Sequence, residues 1–224
     1  MIDVFHNIPV LYEDNHLLVV DKPAGLLVQE DHTGAQDLLT VLKEYLRYKY
    51  DKPGNVFLAL VHRLDRPVSG VMILAKTSKC ASRLSDQIRR RTVSKLYQAV
   101  VEGKTFDNPS VVHYLIKDHK NNKTIAFDTD GPERKLAKLS YTTLKSLDTL
   151  SLVNVNLITG RPHQIRVQLA AIGHPLWGDR KYGTPQKGSV ALRCVKMEIN
   201  HPTKNVRMTF EARLPDTSPW NWFT

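Results

Sequence analysis

Cysteine is scarce in this chain: Cys80 and Cys194 are the only two among 224 residues. They lie far apart and neither belongs to a CxxC pair, so no disulfide framework is expected. Long apolar runs are missing too. None approaches the roughly 20 residues of a membrane-spanning helix, and no basic segment leads into an apolar one at the N-terminus, so no secretory signal is read there. These absences point to a reduced, cytoplasmic setting. The nine histidines show no HExxH or other paired-ligand spacing, which leaves metal catalysis unsupported. There is no P-loop and no GxGxxG, and Ser69 does not sit in a GxSxG elbow.

What is present is positive charge. Lys and Arg number 32 against 22 acidic residues, a net +10. Such a chain attracts polyanions over long range, and nucleic acid is the commonest of these. At 42% hydrophobic and 24% charged residues the composition is globular. The length suits one large domain or two small lobes that share a core.

Short strands alternate with a few helices. The run Leu17–Val20 stops at Asp21-Lys-Pro-Ala-Gly25, a strand and a turn. Residues 38–50 carry Leu39, Leu42, Leu46 and Tyr50 near one helical stripe. Residues 56–61 and 71–75 read as strands, and 78–91 as an amphipathic helix capped by Ser78. Strands are expected at 96–102, 152–157, 190–199 and 206–212. A helix is expected after Pro162, ending near Gly173. Residues 102–108 and 119–133 are polar and read as surface loops. Strands outnumber helices without a regular βαβ rhythm, so the predicted class is α+β with a largely antiparallel sheet.

Three segments could carry chemistry. In Val61-His-Arg-Leu-Asp-Arg-Pro-Val-Ser-Gly70 a carboxylate, Asp65, stands between Arg63 and Arg66 in a turn after an apolar strand. Nearby cations keep a carboxylate ionised, as a base or nucleophile must be. The same string also suits a solvated surface ion pair of little consequence. In Leu157-Ile-Thr-Gly-Arg-Pro-His-Gln-Ile-Arg-Val-Gln-Leu169, the residues Arg161, His163, Gln164 and Arg166 crowd the first turns of a helix. Cations at the positive end of a helix dipole are unfavourable unless an anion joins them, so an anion is expected there. The third segment, Gly173-His-Pro-Leu-Trp-Gly-Asp-Arg-Lys-Tyr-Gly183, mixes aromatic and basic residues. Trp177 and Tyr182 could stack on RNA bases or pack inward; Cys80 and Cys194 read as packing residues.

Together these segments resemble the RluA-like branch of the pseudouridine synthases. Asn15-His-Leu-Leu-Val-Val-Asp-Lys-Pro-Ala-Gly25 is similar to that family's first motif. His62-Arg-Leu-Asp-Arg-Pro-Val-Ser-Gly70 resembles the catalytic motif, usually written HRLDxxTSG. Lys95-Leu-Tyr-Gln-Ala-Val-Val-Glu-Gly103 resembles the motif that bears the active-site tyrosine. Thr159-Gly-Arg-Pro-His-Gln-Ile-Arg166, with Gly173-His-Pro and Gly178-Asp-Arg-Lys-Tyr-Gly183, resembles the third motif. The resemblance covers about residues 9–215. Val68 stands where the family usually has Thr, Leu192-Arg193-Cys194 replaces a frequent Leu-His-Ala, and no S4-type RNA-binding module precedes the motifs.

The resemblance implies a single catalytic domain over residues 1–224, with a mixed, mainly antiparallel sheet, flanking helices and a central cleft. It implies isomerisation of uridine to pseudouridine in ribosomal or transfer RNA, with no cofactor and no metal. Asp65 would be the catalytic carboxylate, Arg166 its ion-pair partner, and Tyr97 the ring beneath the target base. Arg63, His62, Arg66, Arg161, His163 and Gln164 would contact RNA. A monomer needing no protein partner is expected. The set of Asp65, Tyr97 and Arg166 argues against a non-catalytic RNA binder of the same fold, and a nucleoside hydrolase or glycosidase generally uses paired carboxylates or a metal, where this motif has one Asp with basic neighbours. If the basic surface holds RNA through phosphates, affinity will fall steeply with added salt as counterions are released. A binding titration in rising KCl checks this, and a flat profile would contradict it.

Overall fold

A computed structural model describes residues 8–184 and 188–223. Its strands in chain order are β1 (Val10–Glu13), β2 (Leu17–Lys22), β3 (Ala59–Leu60), β4 (Ser69–Ala75), β5 (Ser94–Glu102), β6 (Asn108–Asp118), β7 (Lys123–Phe127), β8 (Lys135–Ser146), β9 (Leu150–Leu157), β10 (Leu192–Asn200) and β11 (Arg207–Glu211). Its α-helices are α1 (Leu38–Lys49), α2 (Ser78–Arg89) and α3 (Gln164–Ala171), and a short 3-10 helix spans Trp220–Trp222. The chain divides into two compact units. The first takes the chain up to Ser94 together with Cys194–Ala212; the second takes Lys95–Arg193 and the chain from Arg213.

The first unit is built on β2 and β4, antiparallel from Leu17 opposite Ala75 to Lys22 opposite Gly70. Leu17, Leu18, Val19 and Val20 are fully buried, as are Val71, Met72, Leu74 and Ala75. A strand covered on both faces loses its alternation and becomes a continuous apolar run, and each large side chain so buried contributes roughly 1.5–3 kcal/mol. β1 pairs with β2, and β11 with β10, both antiparallel. The side chain of Asp37 caps α1 by accepting from the Thr40 amide.

Three sequence expectations need correction here or in the second unit. The cap of α2 is Thr77, not Ser78: Thr77 has the extended backbone a cap requires, and its hydroxyl accepts from the Cys80 amide. The strand expected over 56–61 shrinks to Ala59–Leu60. It pairs with Ala75 and Leu74, and the ladder stops because the next amide, Ile73 N–H, donates to His62 Nε2 instead of to a strand carbonyl. The loop expected over 119–133 contains β7, which pairs antiparallel with β6.

In the second unit the strand order is β5-β9-β8-β6-β7, with every neighbour antiparallel. Inward residues Leu115, Ala137 and Val167 form one apolar cluster. Val100, Leu152, Ala191, Trp220 and Phe223 form another. The outward Asn154 and Asn156 of β9 are partly or fully exposed, which gives the half-buried alternation expected of that strand. The observed class is therefore α+β with a mainly antiparallel sheet, as predicted. Among the described residues, no helix is long and apolar enough to cross a membrane.

A polar cluster in the first unit ties β1 to α1 and β4. Glu13 accepts hydrogen bonds from Tyr45, Tyr50, Lys49 and Lys76. Burial by itself would raise its carboxyl pKa, but the bonds from Lys49, Lys76 and Tyr50 outweigh it and hold the group down at about 2. A depressed carboxylate stabilises the fold above its ordinary pKa and loses that contribution as pH falls through the folded value. The Glu13 contribution should be complete above about 4.5 and disappear toward pH 2. Glu13→Gln should accordingly lower the urea midpoint at pH 7 and flatten the part of the acid-denaturation profile between these values.

Candidate active site

Asp65 lies in the first unit, half-buried, in a turn that its carbonyl closes by accepting from the Val68 amide at 3.0 Å. The closure is made by backbone alone, so Val68 serves there without the hydroxyl of a threonine. The turn is clamped to the one that follows β2. The Gly25 amide donates to the Arg66 carbonyl at 2.8 Å, and Arg66 Nε donates back to the Gly25 carbonyl at 3.0 Å. Gly25 has φ +87°, a left-handed conformation in which glycine carries no Cβ penalty.

Lys22, which sequence reasoning did not single out, completes the clamp. It is fully buried at the end of β2. Its ammonium donates to the carbonyls of Pro23, Leu26 and Arg66 at 2.9, 2.8 and 3.2 Å. Burial pushes its pKa down to about 8, and the charge of Asp65 opposes that fall. A buried ammonium needs both acceptors and an opposing charge; the three carbonyls supply the first and Asp65 the second. A lysine at the end of an otherwise buried apolar strand was the available sequence signal.

The downstream side of the turn is equally constrained. Gly70 has φ +117°, and a Cβ built there would stand 2.2 Å from the Cys194 carbonyl oxygen and 2.6 Å from its nitrogen. His62 is buried, and its role in this geometry is to accept from the Ile73 amide. That contact supports the turn from within the protein. Arg63 and Arg66 are both exposed beside Asp65.

In the second unit, Tyr97 is a buried residue of β5, opposite Val155 of β9. Arg166 is buried in the first turn of α3. Its Nε and Nη2 donate to the two oxygens of Asp179, each at 2.8 Å. The anion expected at this helix start is thus supplied by the protein itself, at least in part. Asp179 is fully buried. Burial would raise its pKa, but the Arg166 fork and the amides of Lys181 and Tyr182 hold it below the usual carboxylate range.

Gln164 is buried and spent on the turn before α3. Its Oε1 accepts from Thr159 Oγ1 and the Arg161 amide, and its Nε2 donates to the Lys138 carbonyl. His163 occupies the N-cap position with φ 54°, and its Nδ1 shares a 2.6 Å hydrogen bond with the Tyr182 hydroxyl. Arg161 is half-buried and donates through Nε to the Leu136 carbonyl. Of the two aromatics left open, Trp177 packs on the Val100 cluster, edge-on to Trp222. Tyr182 packs beside Val167, with its hydroxyl accepting from the Thr124 amide. Both therefore point inward. Among the described residues, no three His, Cys, Asp or Glu side chains are grouped as a metal site requires.

The profile of a family described as RNA pseudouridylate synthase matches residues 16–171. The chain is 32% identical over 218 residues to the uncharacterized RNA pseudouridine synthase YhcT of Bacillus subtilis, covering 96% of this chain and 71% of that one. It is 35% identical over 233 residues to the ribosomal large subunit pseudouridine synthase D of Pseudomonas aeruginosa, covering 94% and 69%. The fold matches the solved structure of human RNA pseudouridylate synthase domain containing 4, with a TM-score of 0.76 at 24% identity over 92% of this chain and 88% of that one. The chain belongs to the RNA pseudouridylate synthase family. It is an isomerase whose substrate is RNA.

The close approach of Gly70 to the Cys194 backbone yields a direct test. Gly70→Ala must displace the Cys194 backbone or abandon its own φ, at a cost of about 3 kcal/mol. Urea unfolding of the variant should show that loss, and unchanged stability would contradict the packing described.

Proposed function

We propose that this enzyme converts uridine to pseudouridine in ribosomal or transfer RNA, with Asp65 as the catalytic carboxylate. The observation that carries the reading is the state of Asp65: a half-buried carboxylate on a clamped turn, electrostatically coupled to a fully buried ammonium. The names of the relatives favour large-subunit ribosomal RNA. The reaction breaks the N1–C1′ bond, turns the uracil and joins C5 to C1′. The C5 proton leaves and N1 takes one up, so the change balances without a cofactor. Detaching uracil leaves the sugar electron-deficient, and a carboxylate beside C1′ and C2′ answers that deficiency. Its oxygen either attacks C1′ or removes the C2′ proton.

Tyr97 is assigned as the ring beneath the target base, with its hydroxyl able to take part in proton transfer at C5. Arg166 serves as the cation that pairs with Asp65. Unstacking the target uridine costs a few kcal/mol. Arg63, exposed two residues before Asp65, is suited to fill the vacated space or hold the neighbouring phosphate, and Arg66 and Arg161 extend the basic surface. The enzyme is read as one cytoplasmic, monomeric catalytic domain over residues 1–224, centred on about 9–215.

Asp65→Asn is expected to lower pseudouridine formation by at least roughly 100-fold while leaving RNA affinity within a few-fold. Carbodiimide labelling followed by primer extension measures the first, and filter binding the second. Wild-type activity in the variant would overturn the assignment. Release of free uracil by the unmodified enzyme would replace isomerisation by glycosidase chemistry.

A further inference from the structure

We infer that Asp179 is a positioning residue for catalysis, which sets the plane of the Arg166 guanidinium and thereby the direction of the donors that Arg166 brings to the reaction. This rests on the proposed role of Arg166 and deepens it. A guanidinium carries five N–H donors in a fixed plane. The fork to Asp179 engages Nε and Nη2, both at 2.8 Å. Two parallel bonds define the plane where a single bond would leave it free to rotate.

Asp179 is itself held on several sides. Its Oδ1 also accepts from the amides of Lys181 and Tyr182 at 3.0 and 3.3 Å. Its own amide donates to the Leu176 carbonyl, and its carbonyl accepts from the Gly183 amide. The loop has little room to shift: a Cβ at Gly178 would stand 2.8 Å from the Ser189 carbonyl oxygen. The Tyr182 ring lies against the Arg166 guanidinium, 5.2 Å from ring centre to the carbon, and its hydroxyl reaches both His163 and β7. The Gly178–Gly183 loop thus acts as a mould for one arginine.

A carboxylate that served stability alone would affect the amount of folded enzyme and not the rate of each folded molecule. The test compares Asp179→Asn, Asp179→Glu, Arg166→Lys and Arg166→Ala by thermal unfolding, by RNA affinity and by single-turnover pseudouridine formation per folded molecule. Asp179→Asn should keep RNA affinity within about threefold while slowing the single-turnover step by roughly 100-fold, as misplacing a reacting group by about 1 Å does. Asp179→Glu should recover part of that rate. Arg166→Lys, which keeps the charge and loses the fork, should be slowed similarly even if Asp179→Asn does not fold. Adding Asp179→Asn to Arg166→Ala should slow it no further. If Arg166→Ala is crippled while Asp179→Asn, or Arg166→Lys where the former is unfolded, turns over at the wild-type rate, the positioning role is overturned. If Arg166→Ala itself retains the wild-type rate, the proposed role of Arg166 fails, and this inference with it.

Discussion

The fully buried ammonium of Lys22 is the constraint around which the Asp65 motif is arranged. A charge withdrawn from water costs several kcal/mol unless acceptors and an opposing charge are supplied. Three backbone carbonyls meet the first need, and one of them, from Arg66, belongs to the turn that carries Asp65. Asp65 meets the second. The motif at the end of β2 and the motif before β4 are therefore halves of one object. The reciprocal bonds between Gly25 and Arg66 hold them in register. On the far side, Gly70 lies so close to the Cys194 backbone that no side chain fits. The carboxylate is placed by backbone contacts on both sides.

The second unit treats its own charge in the same manner. Arg166 is buried at the positive end of a helix, where a lone cation would be doubly unfavourable. Asp179 resolves both problems with one bidentate pair, and the amides of the following turn hold Asp179 in place. Gln164 and His163 complete the helix start from within the protein. Polar residues that look like ligand contacts in a motif are here largely engaged with their own chain. Their demand for hydrogen bonds is met locally, whereas Arg63 and Arg66, on either side of Asp65 in the first unit, are exposed.

The core strands were legible because burial on both faces leaves a continuous apolar run, as in β2 and β4. The α1 and α3 helices announced themselves by periodicity and by Pro162 and Gly173. The long strands β6 and β8 and the short β7 were not legible. Their residues lie in polar, turn-rich surroundings; β6 with β7 and β8 with β9 close short hairpins, Asp118 opposite Lys123 and Ser146 opposite Ser151, and only the β6–β8 ladder joins distant segments. The two-residue β3 was overestimated because nothing local reveals that His62 takes the next amide of β4.

The order and chemistry of four motifs, carried on a basic chain, by themselves determined the family and pointed to Asp65. These are properties of residue type and spacing, which the linear chain holds in full. Only the tertiary structure decided which polar residues are spent on the fold and which stay exposed. It showed that Lys22 is a buried charge, that Asp179 is bound to Arg166, and that Gln164 and His62 serve turns. The physical reason is that the cost of burying a polar group, and the identity of the partner that offsets it, depend on segments brought together from distant parts of the sequence.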